Sequence, residues 1–226
     1  MNILVVNDDG YESEGIAILA DAMKNYGNVY VVAPHSEQSA KSASITIRHN
    51  LQIHQHSDTL YSVVGTPADA VRMAIQRLQL PIDLVVSGIN NGFNIGIDTI
   101  YSGTIGAAMQ GLMYGLPSIA FSSDYNNFEG SKRELGQTLE WLFKHELYSD
   151  KYVLNVNFQS REFPKAKGIQ ITYVDIYPNR SMYNDLRLDG LTDREAVHQG
   201  YISVTPLKLG NGDPQLNKEL LAKLKG

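Results

Sequence analysis

Ile3-Leu4-Val5-Val6-Asn7-Asp8-Asp9-Gly10 opens with an apolar run and ends on two adjacent carboxylates and a glycine. The run is too short for a helix and rich in β-branched residues, so it reads as a buried strand, and the Asx-Gly sequence that stops it favours a turn. In open α/β sheets, ligands lie beyond the carboxyl ends of such strands. Neighbouring side chains of a continuing strand point to opposite faces, so Asp8 and Asp9 reach one point only if the chain turns there, as Gly10 permits. Adjacent carboxylates repel, and a divalent cation removes that penalty. Taken alone, the stretch fits an Asx turn capping the next helix equally well; the later loops must decide.

Working outward, residues 15–26 place Ile16, Leu19, Ala20 and Met23 on a helical stripe closed by Gly27. Val29-Tyr30-Val31-Val32-Ala33-Pro34 is a second buried strand, whose exit is a Ser-rich polar loop containing Ser39. Short alternations over residues 44–64 predict two or three antiparallel strands, with His54 and His56 on an exposed polar face rather than on a metal. Thr66-Pro67-Ala68-Asp69 is a helix start, and the helix runs to Leu80. A third strand over residues 83–87 then feeds a loop over residues 88–98, in which three glycines and three asparagines, Asn90 and Asn94 among them, fall within nine residues. Ser102-Gly103-Thr104 follows at the start of a small-residue helix. Free backbone donors and the helix dipole suit that position to a phosphate, although an N-cap alone also accounts for Ser102 or Thr104.

Two more strands, at residues 117–122 and 152–156, flank a helix over residues 131–146. Beyond Pro164 the pattern changes to short strand-like segments, a turn at residues 178–181, a short capped helix after Thr192, a late strand from Tyr201 and a terminal helix over residues 216–224. The expected fold is α/β: a Rossmann-like three-layer sandwich with a mostly parallel, doubly wound sheet and a C-terminal β-rich oligomerisation arm. Residues 1–226 read as a single domain, with the α/β core over 1–165 and the arm, late strand and terminal helix over 166–226.

Composition narrows the function. The 226 residues are 43% hydrophobic, enough for a sizeable core, and contain no cysteine, which excludes disulfides and thiolate metal sites. No secretory leader or membrane-length apolar run is evident, so the expectation is a cytoplasmic protein with no membrane partner. A net charge of -5 without a basic cluster argues against a nucleic-acid polymer as partner and leaves a single nucleotide open. Dinucleotide, P-loop, nucleophile-elbow and HExxH signatures are absent from the sequence. In a doubly wound layout the exits at Asp8-Asp9, Ser39 and Asn90 open on one edge. Their hard oxygen donors suit Mg²⁺, Mn²⁺ or Ca²⁺, and the phosphate-binding helix end beside them points to phosphoester chemistry.

These motifs resemble the SurE family of metal-dependent 5'(3')-nucleotidases, also called stationary-phase survival proteins. The resemblance rests on Asn7-Asp8-Asp9-Gly10, Val32-Ala33-Pro34 leading to Ser39, Gly65-Thr66-Pro67-Ala68-Asp69, Val86-Ser87-Gly88-Ile89-Asn90, Asn94, Tyr101-Ser102-Gly103-Thr104, and the Gly200–Leu207 run GYISVTPL. It implies one divalent metal ion on Asp8, Asp9, Ser39 and Asn90, and a phosphate site of Asn94, Ser102, Gly103 and Thr104. Asp8 is then the expected proton acceptor, and Asn94, Ser102 and Thr104 the expected groups on the phosphoryl oxygens. It also implies a nucleoside monophosphate substrate, with 3'-nucleotidase and exopolyphosphatase activities as further expectations. The assembly implied is a homodimer or homotetramer with an exchanged C-terminal segment. Residues 173–188, with Tyr173, Tyr177, Met182 and Tyr183, are the expected arm on the partner. One position departs from the family pattern: Ala40 follows Ser39, where the family usually has Gly. The competing expectation from another functional class is a non-catalytic nucleotide-sensing module on the same fold.

Overall fold

A computed structural model of the chain describes residues 1–175 and 190–209. Its centre is β1 (Asn2–Val6), in which Ile3, Leu4, Val5 and Val6 are fully buried. Burial on both faces is what a near-continuous apolar run requires, and it marks a central strand of a parallel sheet. β1 lies between β2 (Asn28–Pro34) and β5 (Leu84–Asn91), parallel to both. With β3 (Ile53–Gln55), β4 (Leu60–Val63), β6 (Ser118–Ser123), β7 (Val153–Asn157), β8 (Ile169–Ile171) and β9 (Ile202–Leu207), the nine strands form one sheet in the order β3-β4-β2-β1-β5-β6-β7-β9-β8. Succession runs outward from β1 to β2 and β4, then returns to β5 on the other side. The reversal between β1 and β5 is the topological switch point where ligands bind in such sheets.

Helices cover both faces, completing the three-layer α/β sandwich. α1 (Glu14–Met23) and α5 (Glu129–Lys144) pack Ile16, Leu19, Met23, Leu135, Leu139 and Leu142 against Ile3, Val5, Val86 and Phe121. The opposite face carries α2 (Pro67–Arg72), which continues as a π-helical turn over Met73–Arg77, and α4 (Gly103–Met113). Ala70, Val71, Ala74 and Ala107 pack there on Leu4, Val6 and Val85. A short α3 (Asp98–Tyr101) precedes α4, and α6 (Asp193–His198) starts from a Thr192–Glu195 capping box.

Four sequence expectations are corrected. Residues 44–48 form no strand, because the Thr46 N–H donates to Asp69 Oδ1 at 2.9 Å and its carbonyl accepts from Arg72 Nη1 at 3.2 Å. The segment is therefore strapped to α2 by side chains instead of joining a ladder. Secondly, β3 and β4 do pair antiparallel, but β4 joins β2 in parallel, from Val31 opposite Leu60 to Pro34 opposite Val63. Thirdly, β5 does not stop at Ser87. It continues through Asn91 by a bulge, in which Ser87 and Asn90 face Ala120 and Ser122 of β6. Gly88 makes this continuation possible, since at φ +127° a Cβ there would lie 2.3 Å from the Phe121 carbonyl oxygen. Lastly, β8 ends at Ile171, and Tyr173 keeps only an isolated bridge to Thr192. Tyr177, Met182 and Tyr183 of the expected arm, the turn at residues 178–181 and the terminal helix lie outside the described residues. No helix among the described residues is long and apolar enough to cross a membrane.

Candidate active site

The turn after β1 is built by Asn7, whose buried amide nitrogen donates to the Gly10 carbonyl at 2.9 Å and to Ser13 Oγ at 2.7 Å. Ser13 also caps α1 by accepting from the Ile16 N–H. The helix is thus capped by Ser13 and not by an Asx turn of this stretch, and Asp8 and Asp9 are left lining the crevice. The loop after β2 is pinned beside them through Gln38 N–H to the Asp8 carbonyl at 2.7 Å and Tyr11 N–H to the Pro34 carbonyl at 3.0 Å.

Asp8 is buried, and its Oδ1 accepts from the Thr104 hydroxyl at 2.5 Å. Thr104 Oγ1 also lies 3.2 Å from Asn90 Oδ1. The Asn90 amide nitrogen donates to the Gly92 carbonyl at 2.8 Å, which turns its oxygen toward this cluster. Asp9 Oδ2 accepts from the Asn91 N–H at 3.1 Å. The start of α4 reaches this close because residue 103 has no side chain: a Cβ there would sit 2.9 Å from Asp8 Cβ and 3.0 Å from Asp8 Oδ2. Burial pushes the Asp8 carboxyl above its usual range, opposed by the Thr104 hydroxyl and by backbone donors of the α4 N-terminus. Asp9 rises to about 6, through burial first and the neighbouring Asp8 charge second, with Asn91 opposing and Glu37 adding.

Thus Asp8, Asp9, Asn90 and Thr104 come together. Ser39 lines the same crevice, but its hydroxyl donates to Glu37 Oε1 at 2.7 Å on an exposed loop, where Ala40 has φ +58°. Ser102 caps α4, accepting from the Ile105 N–H at 3.1 Å, so its own proton is available to the crevice. Asn94 is locked in place: its N–H donates to Asn157 Oδ1 at 2.8 Å, its carbonyl accepts from Asn155 and Asn157, and its amide nitrogen donates to Ser122 Oγ. Thr104, expected from the sequence on a phosphoryl oxygen, donates its hydroxyl to Asp8. Among the described residues no three His, Asp or Glu side chains form a ready cation cage. The His54–His56 face is exposed, with His56 bonded to Ser62 Oγ at 2.8 Å and stacked on Tyr11.

The chain matches the family model for survival protein SurE over residues 3–178. It belongs to the SurE family. A protein named 5'-nucleotidase SurE from Clostridium botulinum (strain Langeland / NCTC 10281 / Type F) is 39% identical over 236 residues, spanning 92% of each chain. Another of that name from Actinobacillus succinogenes is 37% identical over 227 residues, again 92% of each. The crystal structure of the SurE protein from Aquifex aeolicus superposes with a TM-score of 0.83 at 33% identity, covering 100% of both chains.

Three groups around this SurE site escaped the sequence reading. Glu37 is the one carboxylate of the β2 exit loop, a signal legible beside Ser39. Asn91 holds Asp9 through its backbone, which no sequence pattern reports. Residues 125–128, after β6, also border the crevice, and the strand-exit rule that places the exits of β1, β2 and β5 there applies to β6 equally.

Proposed function

We propose that this SurE chain is a divalent-cation-dependent phosphatase that hydrolyses nucleoside monophosphates, a 5'-nucleotidase. One observation carries the reading. The crevice of about 780 Å³ is lined by Asp8, Asp9, Glu14, Glu37, Asp98 and Glu129 and by no Lys, Arg or His among the described residues; Lys132, outside the lining, pairs with Glu14 at 2.7 Å and Glu129 at 3.3 Å, and Asp8, Asp9, Glu37 and Asp98 remain. A phosphate monoester is repelled from such a surface unless a cation lies between them. The donor set fits one: two carboxylates whose proton affinity is raised by burial, that of Asp9 also by the Asp8 charge, with the Asn90 amide oxygen turned toward them. Asp8 and Asp9, with Asn90 and Ser39, would hold Mg²⁺ or Mn²⁺, or Ca²⁺ as a bound ion. Such an ion supplies Lewis-acid polarisation of a phosphoryl oxygen and of the attacking water.

The protein's own groups do the rest. Asp8, fixed by Thr104, accepts the proton of the water as its oxygen bonds to phosphorus, and as the ester P–O bond breaks that proton passes from Asp8 to the leaving oxygen, so that the nucleoside departs as its hydroxyl and Asp8 is again ionised. The Ser102 hydroxyl, the remaining Asn94 amide proton and the positive end of α4, which begins at Gly103, face the charge that builds on the phosphoryl oxygens. Family membership supports a cytoplasmic homodimer or homotetramer with an exchanged C-terminal segment. It also makes 3'-nucleotides and short polyphosphates the natural further substrates.

Phosphate release from 5'-AMP, 5'-GMP, 3'-AMP and polyphosphate, each with Mg²⁺, Mn²⁺ or a chelator, tests this. Turnover of nucleoside monophosphates that a chelator abolishes is the expected result. Asp9→Asn should lower it by orders of magnitude, with partial recovery at high Mn²⁺. Nucleotide binding without turnover would favour the sensing module instead, and full Asp9→Asn activity without added metal would overturn the role of the Asp pair.

A further inference from the structure

A phosphoryl group needs only a small part of a crevice of about 780 Å³. The remaining space must receive the rest of the substrate, and its outer wall is the connection between β6 and α5. Tyr125 stands on that wall with 62% of its surface exposed. Single exposed tyrosines are ordinary; this one is distinguished by how firmly its backbone is held. Asn91 pairs reciprocally with Asn126, its Oδ1 accepting from the Asn126 N–H at 2.6 Å and its Nδ2 donating to Asn126 Oδ1 at 3.0 Å. On the other side, Asp124 accepts from the Arg161 N–H at 2.8 Å, from Nε at 3.1 Å and from Nη2 at 2.9 Å. Arg161 Nη2 donates to the Tyr125 carbonyl as well. Ser123 Oγ closes the turn by donating to the Asn127 carbonyl at 2.6 Å. The backbone is fixed and the ring is left in solvent, which is preorganised contact area.

The ring is also near the chemistry. A methyl built on Gly92 would lie 3.8 Å from Asn90 Nδ2 and 4.0 Å from Tyr125 Cδ2, so only the width of a small side chain separates the ring from the amide that borders Asp8 and Thr104. In a nucleoside monophosphate one sugar separates phosphate from base. We propose that Tyr125 is the stacking platform for the nucleobase, an inference that rests on the nucleotidase reading. Stacking uses the π-face that every base has, so the platform accepts purines and pyrimidines alike, with purines favoured by area.

The test compares 5'-AMP with ribose 5-phosphate, which lacks the base, on wild type, Tyr125→Leu and Tyr125→Phe. Tyr125→Leu should raise KM for AMP about tenfold, the factor one stacked base contributes, leaving kcat for AMP and kcat/KM for ribose 5-phosphate unchanged; Tyr125→Phe should behave as wild type. Equal effects on both substrates, or a base-dependent loss in Tyr101→Leu and not in Tyr125→Leu, would overturn the assignment. If neither compound is hydrolysed, the phosphatase reading fails separately. Calorimetry of adenosine with the metal-free chain then decides: binding about tenfold weaker in Tyr125→Leu supports the platform, and equal binding removes it.

Discussion

Replacing Thr104 by Val keeps the shape of a fully buried side chain and removes one oxygen, the one 2.5 Å from Asp8 Oδ1. A hydrogen bond to a charged group contributes roughly 1.5–3 kcal/mol, and Val offers nothing in its place. The loss falls on the ionised form of Asp8, whose carboxyl burial already pushes upward. A cation binds that ionised form, so metal affinity near neutral pH should drop by about 10- to 100-fold, the range typical for losing a group that orients a ligand. Thr104→Ser should retain most of it. Calorimetric Mn²⁺ titrations of the three proteins give the measurement. Unchanged Mn²⁺ affinity with kcat lowered about 10²–10³-fold would refute this, because the hydroxyl would then be serving the phosphoryl group.

The metal-free protein should gain stability from Asp9 as pH falls from about 7 through 6 toward 4, because the folded state then binds a proton that the unfolded chain, with its ordinary value of 3.8, does not. The gain is at most about 3 kcal/mol and less after solvent screening. Melting curves with chelator should show it as a pH-dependent difference between wild type and Asp9→Asn that saturating Mn²⁺ removes, and parallel pH profiles would contradict it. Ala40→Gly relieves a left-handed backbone at φ +58° and should stabilise by about 0.5–1 kcal/mol in urea unfolding; a loss of stability would show that the loop is not so strained. Gly103→Ala places a methyl 2.9 Å from Asp8 Cβ and 3.1 Å from Pro67 Cγ, so it should cost roughly 1–3 kcal/mol and displace Asp8. Its activity should fall more than its melting point suggests.

Much of the architecture was legible because its signals are local. The apolar run into Asp8-Asp9-Gly10, the stripe through Ile16 and Leu19, the Thr66-Pro67 helix start and the Ser102 cap are written within a few residues each. Periodicity and turn chemistry act over that range. The exits of β1, β2 and β5 could be brought to one edge by topology rules alone, since strand-helix alternation leaves few arrangements of a parallel sheet. What only the tertiary structure decided is where donors and backbone groups spend their bonds. Thr46 reads as part of a strand, yet its backbone meets Asp69 and Arg72. The Gly88-Ile89-Asn90 stretch reads as a loop, yet packing beside Phe121 carries it on as strand. Thr104 reads as a phosphate donor, yet its hydroxyl finds a carboxylate 96 positions earlier. Sequence sets the type and local conformation of each group, whereas its hydrogen-bond partner is fixed by which distant segment packing brings within about 3 Å.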